Sequence, residues 1–203
     1  MDKKRFVIAL TGASGAAYGL RLLYQLSKLP VEAHLIFSPV FWRIAKDELN
    51  FSKNEPQFDQ VLTEFFNGEE SEVCWKYEIL PHGDVGLRPA SGSFAHDGMV
   101  VIPCSMKTLA AIAHGYTSNL IERAADVSLK EKRKLILVIR ETPLSLIHIE
   151  NMRQLSLAGA VIMPAAPGFY HKPHSLTELY DFICDRIFLH LGLNKRLVTP
   201  WQG

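Results

Sequence analysis

The stretch Phe6-Val-Ile-Ala-Leu10, running directly into Thr11-Gly-Ala-Ser-Gly-Ala-Ala-Tyr-Gly19, decides the fold. Five apolar residues without alternation read as a strand buried on both faces. The glycines at 12, 15 and 19 open a tight turn into a helix from Ala16 to about Lys28. A strand that enters a helix through such a turn is the first half of a βαβ unit. The same alternation repeats outward. Val31 to Phe37 is a second strand, and Ser38 and Pro39 supply the N-cap and first helical position of a helix through Asn50. Asn50 to Ser71 is polar and poorly patterned, part helix and part loop. Cys74 to Leu80 forms a third strand, with a turn-rich stretch from Pro81 to Ser93 behind it. Gly98 to Ile102 is the fourth, followed by helices over 105–114 and 119–132. Leu135 to Ile139 leads to a helix capped by Ser145 and stopped by Gly159. Val161 to Met163 is a short last strand, and a helix over 175–191 closes the chain. Continuous apolar strands between amphipathic helices predict a Rossmann-like, doubly wound three-layer α/β sandwich with a mainly parallel sheet.

With 22 Lys+Arg against 21 Asp+Glu the formal net charge is +1, which argues against a general nucleic-acid binder but not against a local pocket of arginines. Cys74, Cys104 and Cys184 are an odd, scattered set without C-x-x-C, so neither a disulfide framework nor a zinc site is indicated. The basic start Met1 to Arg5 precedes an apolar run that ends at Leu10. That run is shorter than the ~7–15 residues of a secretory core or the ~20 of a membrane span. The expectation is a cytoplasmic protein of one domain over residues 1–203, without a membrane span. A tail from about 192 is expected to pack on the site or on a neighbouring subunit.

In open parallel sheets ligands bind beyond the carboxyl ends of the strands. The residues placed there are Thr11 to Ser14, Ser38, Pro103 to Ser105, Arg140 to Pro143 and Pro164 to Pro167. Small, hydroxyl-bearing and charged groups converge on one rim. The first turn is not G-x-G-x-x-G, yet its glycines allow close backbone approach and leave helix N–H groups free for an anion or a polar ring edge; a purely structural role is the competing reading. A dinucleotide site puts Asp or Glu at the end of the second strand, where this chain has Ser38. NAD is therefore disfavoured and a mononucleotide such as FMN fits better. A serine hydrolase would need G-x-S-x-G, which is missing here. Cys104 reads as a buried small hydrophobe rather than a nucleophile.

Arg123 and Lys130, two turns apart, share a helix face, with Asp126 between them as a possible partner of both. Arg140-Glu141 follows a strand interior directly; the arginine suits a phosphate and the glutamate proton transfer, against the plain reading of an internal ion pair. Arg186 is placed on the side of the apolar stripe Leu179, Ile183 and Ile187, where a buried guanidinium needs an anion. Tyr170 can offer a hydroxyl to the same phosphate. Trp201 either packs locally or caps a pocket. The eight histidines show no ligand spacing, so no metal site is expected.

Thr11-Gly-Ala-Ser-Gly-Ala16, Ala90-Ser-Gly-Ser93, Pro103 to Ala110, Glu122 to Val127, Leu129-Lys-Glu131, Arg140-Glu-Thr-Pro-Leu144 and Pro167-Gly-Phe-Tyr170 together resemble the UbiX/Pad1 flavin prenyltransferases. The motifs run in order from the first strand to Trp201, weakest over Asn50 to Pro89. The resemblance implies synthesis of prenylated FMN, the cofactor of UbiD-type decarboxylases, by joining a dimethylallyl group to N5 and C6 of reduced FMN. It implies that FMN is held by Gly12, Ala13, Ser14, Ser38, Ser105, Met106, Lys107, Thr108, Arg123 and Arg140. The phosphate of dimethylallyl monophosphate would be held by Lys130, Arg140, Tyr170 and Arg186, with Glu141 and Ser14 acting near N5.

Fixed cations and hydroxyls matched to a departing phosphate are electrostatic catalysts of C–O ionisation. The allylic cation then needs a π-face rather than water, which Trp201 and the flavin would supply. Two other readings remain open: an FMN-dependent cysteine-type decarboxylase, and a non-catalytic flavin carrier. Assembly into a homo-dodecamer with the site at subunit contacts is a further implication of the resemblance.

Overall fold

A computed structural model of the chain describes residues 3–49, 58, 62 and 74–201. Six strands, β1 (Arg5–Leu10), β2 (Glu32–Phe37), β3 (Lys76–Ile79), β4 (Gly98–Cys104), β5 (Leu135–Ile139) and β6 (Val161–Pro164), lie in the order β3-β2-β1-β4-β5-β6. Every neighbouring pair is parallel. The helices are α1 (Ala16–Ser27), α2 (Pro39–Leu49), α3 (Met106–Ala113), α4 (Leu120–Lys130), α5 (Leu146–Leu157) and α6 (Leu176–Leu191), with a 3-10 turn at Arg88–Ala90. This is the doubly wound α/β sheet the alternation predicts. The expected helix or loop over Asn50 to Ser71 lies almost wholly outside the described residues.

Two apolar layers sandwich the sheet because alternate strand residues face opposite sides. Phe6, Ile8 and Leu10 of β1 pack under α1, α2 and α6, while Val7 and Ala9 face α3 and α4. Leu20, Leu23 and Leu26 put the inner face of α1 into the first layer, each wholly buried. A fully buried leucine contributes about 1.5–3 kcal/mol.

The third strand is shorter than expected, since the N–H groups of Cys74 and Trp75 go to the Ser27 carbonyl rather than to β2. Gly15, at the N-cap of α1, has φ +98°, a left-handed conformation that favours glycine. The N–H groups expected to stay free there do not: Gly15 and Ala16 both donate to the Glu48 carboxylate at 2.9–3.0 Å. Arg186 is also placed differently. The buried arc of α6 is Ile183, Cys184, Ile187, Phe188 and Leu191, and Arg186 is exposed, about 130° round the helix from its centre at 100° per residue. The buried charge of this helix is its neighbour Asp185, 3% exposed. On the outer side of the sheet α5 leaves Leu146, Ile147 and Leu157 more than 70% exposed.

Candidate functional site: a cleft at the sheet switch point

The sheet order reverses direction between β1 and β4, and the loops beyond those two strands diverge to opposite faces. Such a switch point opens a crevice at the carboxyl edge. Here it is a cleft of about 340 Å³ lined by Thr11, Gly12, Ser38, Val40, His82, Ser105, Lys107, Thr108, Asn119 and Ile121. Thr11 ties its floor together: its hydroxyl donates to the Pro103 carbonyl at 2.7 Å and accepts from the Ser105 N–H at 2.9 Å. That hydroxyl is spent on structure. Ser105 caps α3, accepting from the Thr108 N–H at 3.3 Å and donating to the Thr108 hydroxyl at 3.0 Å. The next N–H groups of that first turn have no acceptor within the helix and suit an anion.

Ser38 differs from its expected role. Its carbonyl accepts from the Phe41 N–H, but its buried hydroxyl has no partner among the described residues. It therefore caps nothing with its side chain and is left for a ligand. A Cβ added at Gly12 would stand 2.5 Å from Val40 Cγ1, so only glycine keeps this wall open without moving Val40. An orphaned buried hydroxyl, a wall that admits no side chain and a capped helix start fit a polar, flat, phosphate-bearing group such as FMN.

Lys107 reaches the cleft with its amine held at 3.0 Å by Glu122, whose carboxylate is wholly buried. Burial works to raise the Glu122 pKa, but bonds from Ser118, Lys107 and Asn119 outweigh it and hold the carboxyl below its usual range. His82 and Asn119 escaped the sequence reading. His82 arrives on a turn with no periodic signal, and its carbonyl accepts from the Leu120 N–H at 2.9 Å. Burial lowers its imidazole pKa, favouring the neutral ring. Asn119 was legible only as the cap of α4, which it is, accepting from the Glu122 N–H at 3.1 Å.

Beside the cleft, Arg140 Nε donates to the Ser14 carbonyl at 3.2 Å and so joins the end of β5 to the first turn. Ser14 is exposed and Glu141 half-buried, with a Glu141 oxygen accepting the Thr142 N–H at 3.0 Å. No Arg140–Glu141 ion pair forms, against the plain reading. Ala13 and Met106 turn their side chains into the core, leaving only their backbone for a ligand.

The remaining candidates do not line the cleft, though Arg123 stands one helical turn beyond the lining residue Asn119. Arg123 pairs with Asp126 at 3.0 Å. Lys130, at the far end of the 11-residue α4, lies roughly 15 Å along the axis from Asn119. It pairs with Glu131 at 3.0 Å rather than with Asp126, beside Gly92. Tyr170 stands edge-on to Phe182 and to Trp201, both at 5.8 Å. Exposed Arg186 follows Phe182 by one helical turn. One chain thus carries three clusters: the rim cleft with Ser14 and Arg140, the Gly92–Lys130 corner, and the Tyr170–Trp201–Arg186 face of α6. Cys104 is wholly buried, its thiol pushed up to about 12 by that burial, consistent with an inert core residue. Among the described residues no group of three His, Cys, Asp or Glu side chains is placed to hold a metal.

Fold and cleft define a mononucleotide-binding α/β protein, and residues 1–188 match the Flavoprotein family model, to which the chain belongs. More narrowly, it is a member of the UbiX/Pad1 flavin prenyltransferase family. It is 46% identical to Flavin prenyltransferase UbiX of Pseudomonas aeruginosa over 98% of this chain and 94% of that protein. The solved AnUbiX (PadA1) in complex with FMN and dimethylallyl pyrophosphate superposes with TM-score 0.86 at 40% identity, covering 100% of this chain and 99% of that one. A dodecameric FMN-dependent UbiX-like decarboxylase from Escherichia coli O157:H7 gives TM-score 0.85 at 38% identity, covering 98% and 100%. Among the described residues no helix is long and apolar enough to cross a membrane.

Proposed function

We propose that this protein is a metal-independent prenyltransferase that joins the dimethylallyl group of dimethylallyl monophosphate to N5 and C6 of reduced FMN, and passes the prenylated FMN to a UbiD-type decarboxylase. The observation that carries the reading is the switch-point cleft, where the unpartnered Ser38 hydroxyl faces a wall that only Gly12 keeps open. Gly12, Ser38, Ser105, Lys107 and Thr108 would hold the flavin, with the backbone of Ala13 and Met106 and the guanidinium of Arg123. When bound, reduced FMN supplies the nucleophilic atoms.

The protein's part is electrostatic and steric. Arg140, fixed by Ser14, presents its remaining guanidinium N–H groups to a phosphate. Lys130, Tyr170 and Arg186 complete the charge that stabilises phosphate departure. Glu141, half-buried at the rim, holds a proton during ring closure, and Ser14 lies on the turn after β1 that Arg140 ties to the end of β5. Trp201 shields the allylic carbon from water.

These groups occupy three separate clusters of one chain, so the site is completed by neighbouring copies. The uncovered leucines and isoleucine of α5 support self-association. A homo-dodecamer, each chain acting as one domain of 203 residues, is the assembly we propose. The three free cysteines suit a reducing compartment, the cytoplasm.

The test is anaerobic incubation with reduced FMN and dimethylallyl monophosphate, followed by mass spectrometry of the released flavin. Flavin of unchanged mass from folded, FMN-loaded protein overturns the reading and leaves a carrier; substrate-derived CO2 from a peptidyl cysteine would indicate a decarboxylase. Co-assembly tests the shared site. Lys130→Ala and Tyr170→Phe chains, each inactive alone, should regain part of the activity when mixed and reassembled.

A further inference from the structure

The buried charge of α6 is Asp185, and the partly buried Asp181 stands one turn before it. Both are spoken for by the same neighbourhood. Arg21 of α1 makes a two-point bond to Asp181 at 2.7 and 2.8 Å, and Gln25 adds a third at 3.0 Å. Lys195, in the tail beyond α6, donates to that same Gln25 at 3.1 Å. The next tail residue, Arg196, makes a two-point bond to Asp185 at 2.9 and 3.0 Å, and the Leu197 N–H donates to Asp185 at 2.8 Å. Asp185 is 3% exposed, so its whole charge is answered by the tail. Four residues later the chain reaches Trp201, edge-on to Tyr170 at 5.8 Å.

We propose that Asp185 and Arg196 form a clamp that fixes the direction of the C-terminal tail and thereby sets Trp201 against Tyr170, making both of them positioning residues for the prenyl-phosphate side of the site. The kinetic half of this proposal rests on the prenyltransferase reading; the structural half does not. Apolar contacts dock the tail at the partly buried Leu193 and Leu197 and the buried Val198, but such contacts set no fixed direction. A planar fork on a buried carboxylate adds orientation that apolar contact lacks. Hydrogen bonding to Asp185 also holds the Arg196 guanidinium above its ordinary pKa.

The experiment uses the full-length, FMN-loaded protein. Removing Arg196 alone would strand a buried carboxylate, so the variants are Asp185→Asn, Arg196→Lys and the apolar pair Asp185→Leu with Arg196→Met. Hydrogen exchange at the Leu197 amide should accelerate about tenfold or more in Asp185→Asn and in the double variant, while Ile183 and Ile187 amides stay protected and report an intact α6. KM for dimethylallyl monophosphate should rise about tenfold with FMN affinity within about twofold of the parent, and Arg196→Lys should fall between. Unchanged Leu197 exchange with α6 intact overturns the clamp. Faster exchange with unaltered KM and kcat overturns the positioning role and leaves a structural tether. If the parent protein makes no prenylated flavin, the prenyltransferase reading and the positioning role for it fail together, while Leu197 exchange still decides the clamp.

Discussion

Replacing Ser38 by alanine separates stability from binding, because the two effects carry opposite signs. In the free protein the Ser38 hydroxyl is buried without a partner. A buried polar group left unpaired costs about 1–3 kcal/mol. Ser38→Ala removes that penalty, and the methyl that remains loses little packing. The ligand-free protein should therefore be stabilised by about 1 kcal/mol, the lower end of that range. In the proposed function the same hydroxyl binds FMN at the cleft it lines. A hydrogen bond contributes about 0.5–1.5 kcal/mol to a neutral acceptor and about 1.5–3 to a charged one. FMN affinity should accordingly fall about 5-fold if Ser38 meets a ring or ribitol oxygen, and by up to about 100-fold if it meets the phosphate, at 1.4 kcal/mol per factor of ten. Urea unfolding of the flavin-free protein reads the first effect and fluorescence titration with FMN the second. A destabilised flavin-free variant, or an unchanged FMN affinity, refutes the idea that this hydroxyl is held in reserve.

Other outcomes concern the cleft and buried groups elsewhere in the fold. His96 is buried, and desolvation with the Arg133 charge pushes its imidazole down to about 4. Its unfolded value is near 6.5, so the unfolded chain binds more protons between those limits and stability present above pH 6.5 is lost as pH falls toward 4. The loss from this residue is about 3 kcal/mol, and His96→Leu should flatten the slope of unfolding free energy against pH in that window. Glu122→Ala removes a buried carboxylate that accepts from Lys107 and Ser118, whose own side chains reach solvent. The lost hydrogen bonds should destabilise by about 1–2 kcal/mol, lowering Tm by about 2–8 °C in a scanning experiment. Gly12→Ala should reduce FMN affinity at least about tenfold while leaving the fold intact by circular dichroism, since the new methyl cannot fit unless Val40, which lines the cleft, moves. Glu141→Gln should slow turnover in single-turnover assays with FMN binding retained; unchanged rates would remove Glu141 from proton transfer.

Much of the fold was legible from local chemistry. Runs such as Phe6 to Leu10 and Leu135 to Ile139 need no context to read as doubly buried strands, and Ser105, Asn119, Ser145 and Ser175 are each found accepting from the N–H three residues on. The rim cleft was legible too, because strand ends converge wherever parallel strands share a sheet. Composition set the remaining bounds: a net charge of +1 hides cations distributed over separate faces.

Only the tertiary structure decided which polar groups are spent and which are free. Ser38 and Thr11 look alike in sequence, yet Thr11 bridges two loops while Ser38 is left without a partner. Glu48 closes the start of α1 from a different helix. Lys130 lies at the end of its helix remote from the cleft, and the buried charge of α6 is Asp185 rather than Arg186. The physical reason is common to all four. A periodicity fixes which face a residue is on, because it depends on neighbours along the chain. The partner of a polar group is set by whatever chain segment arrives across space, as Arg196 arrives at Asp185, and no local pattern records that arrival.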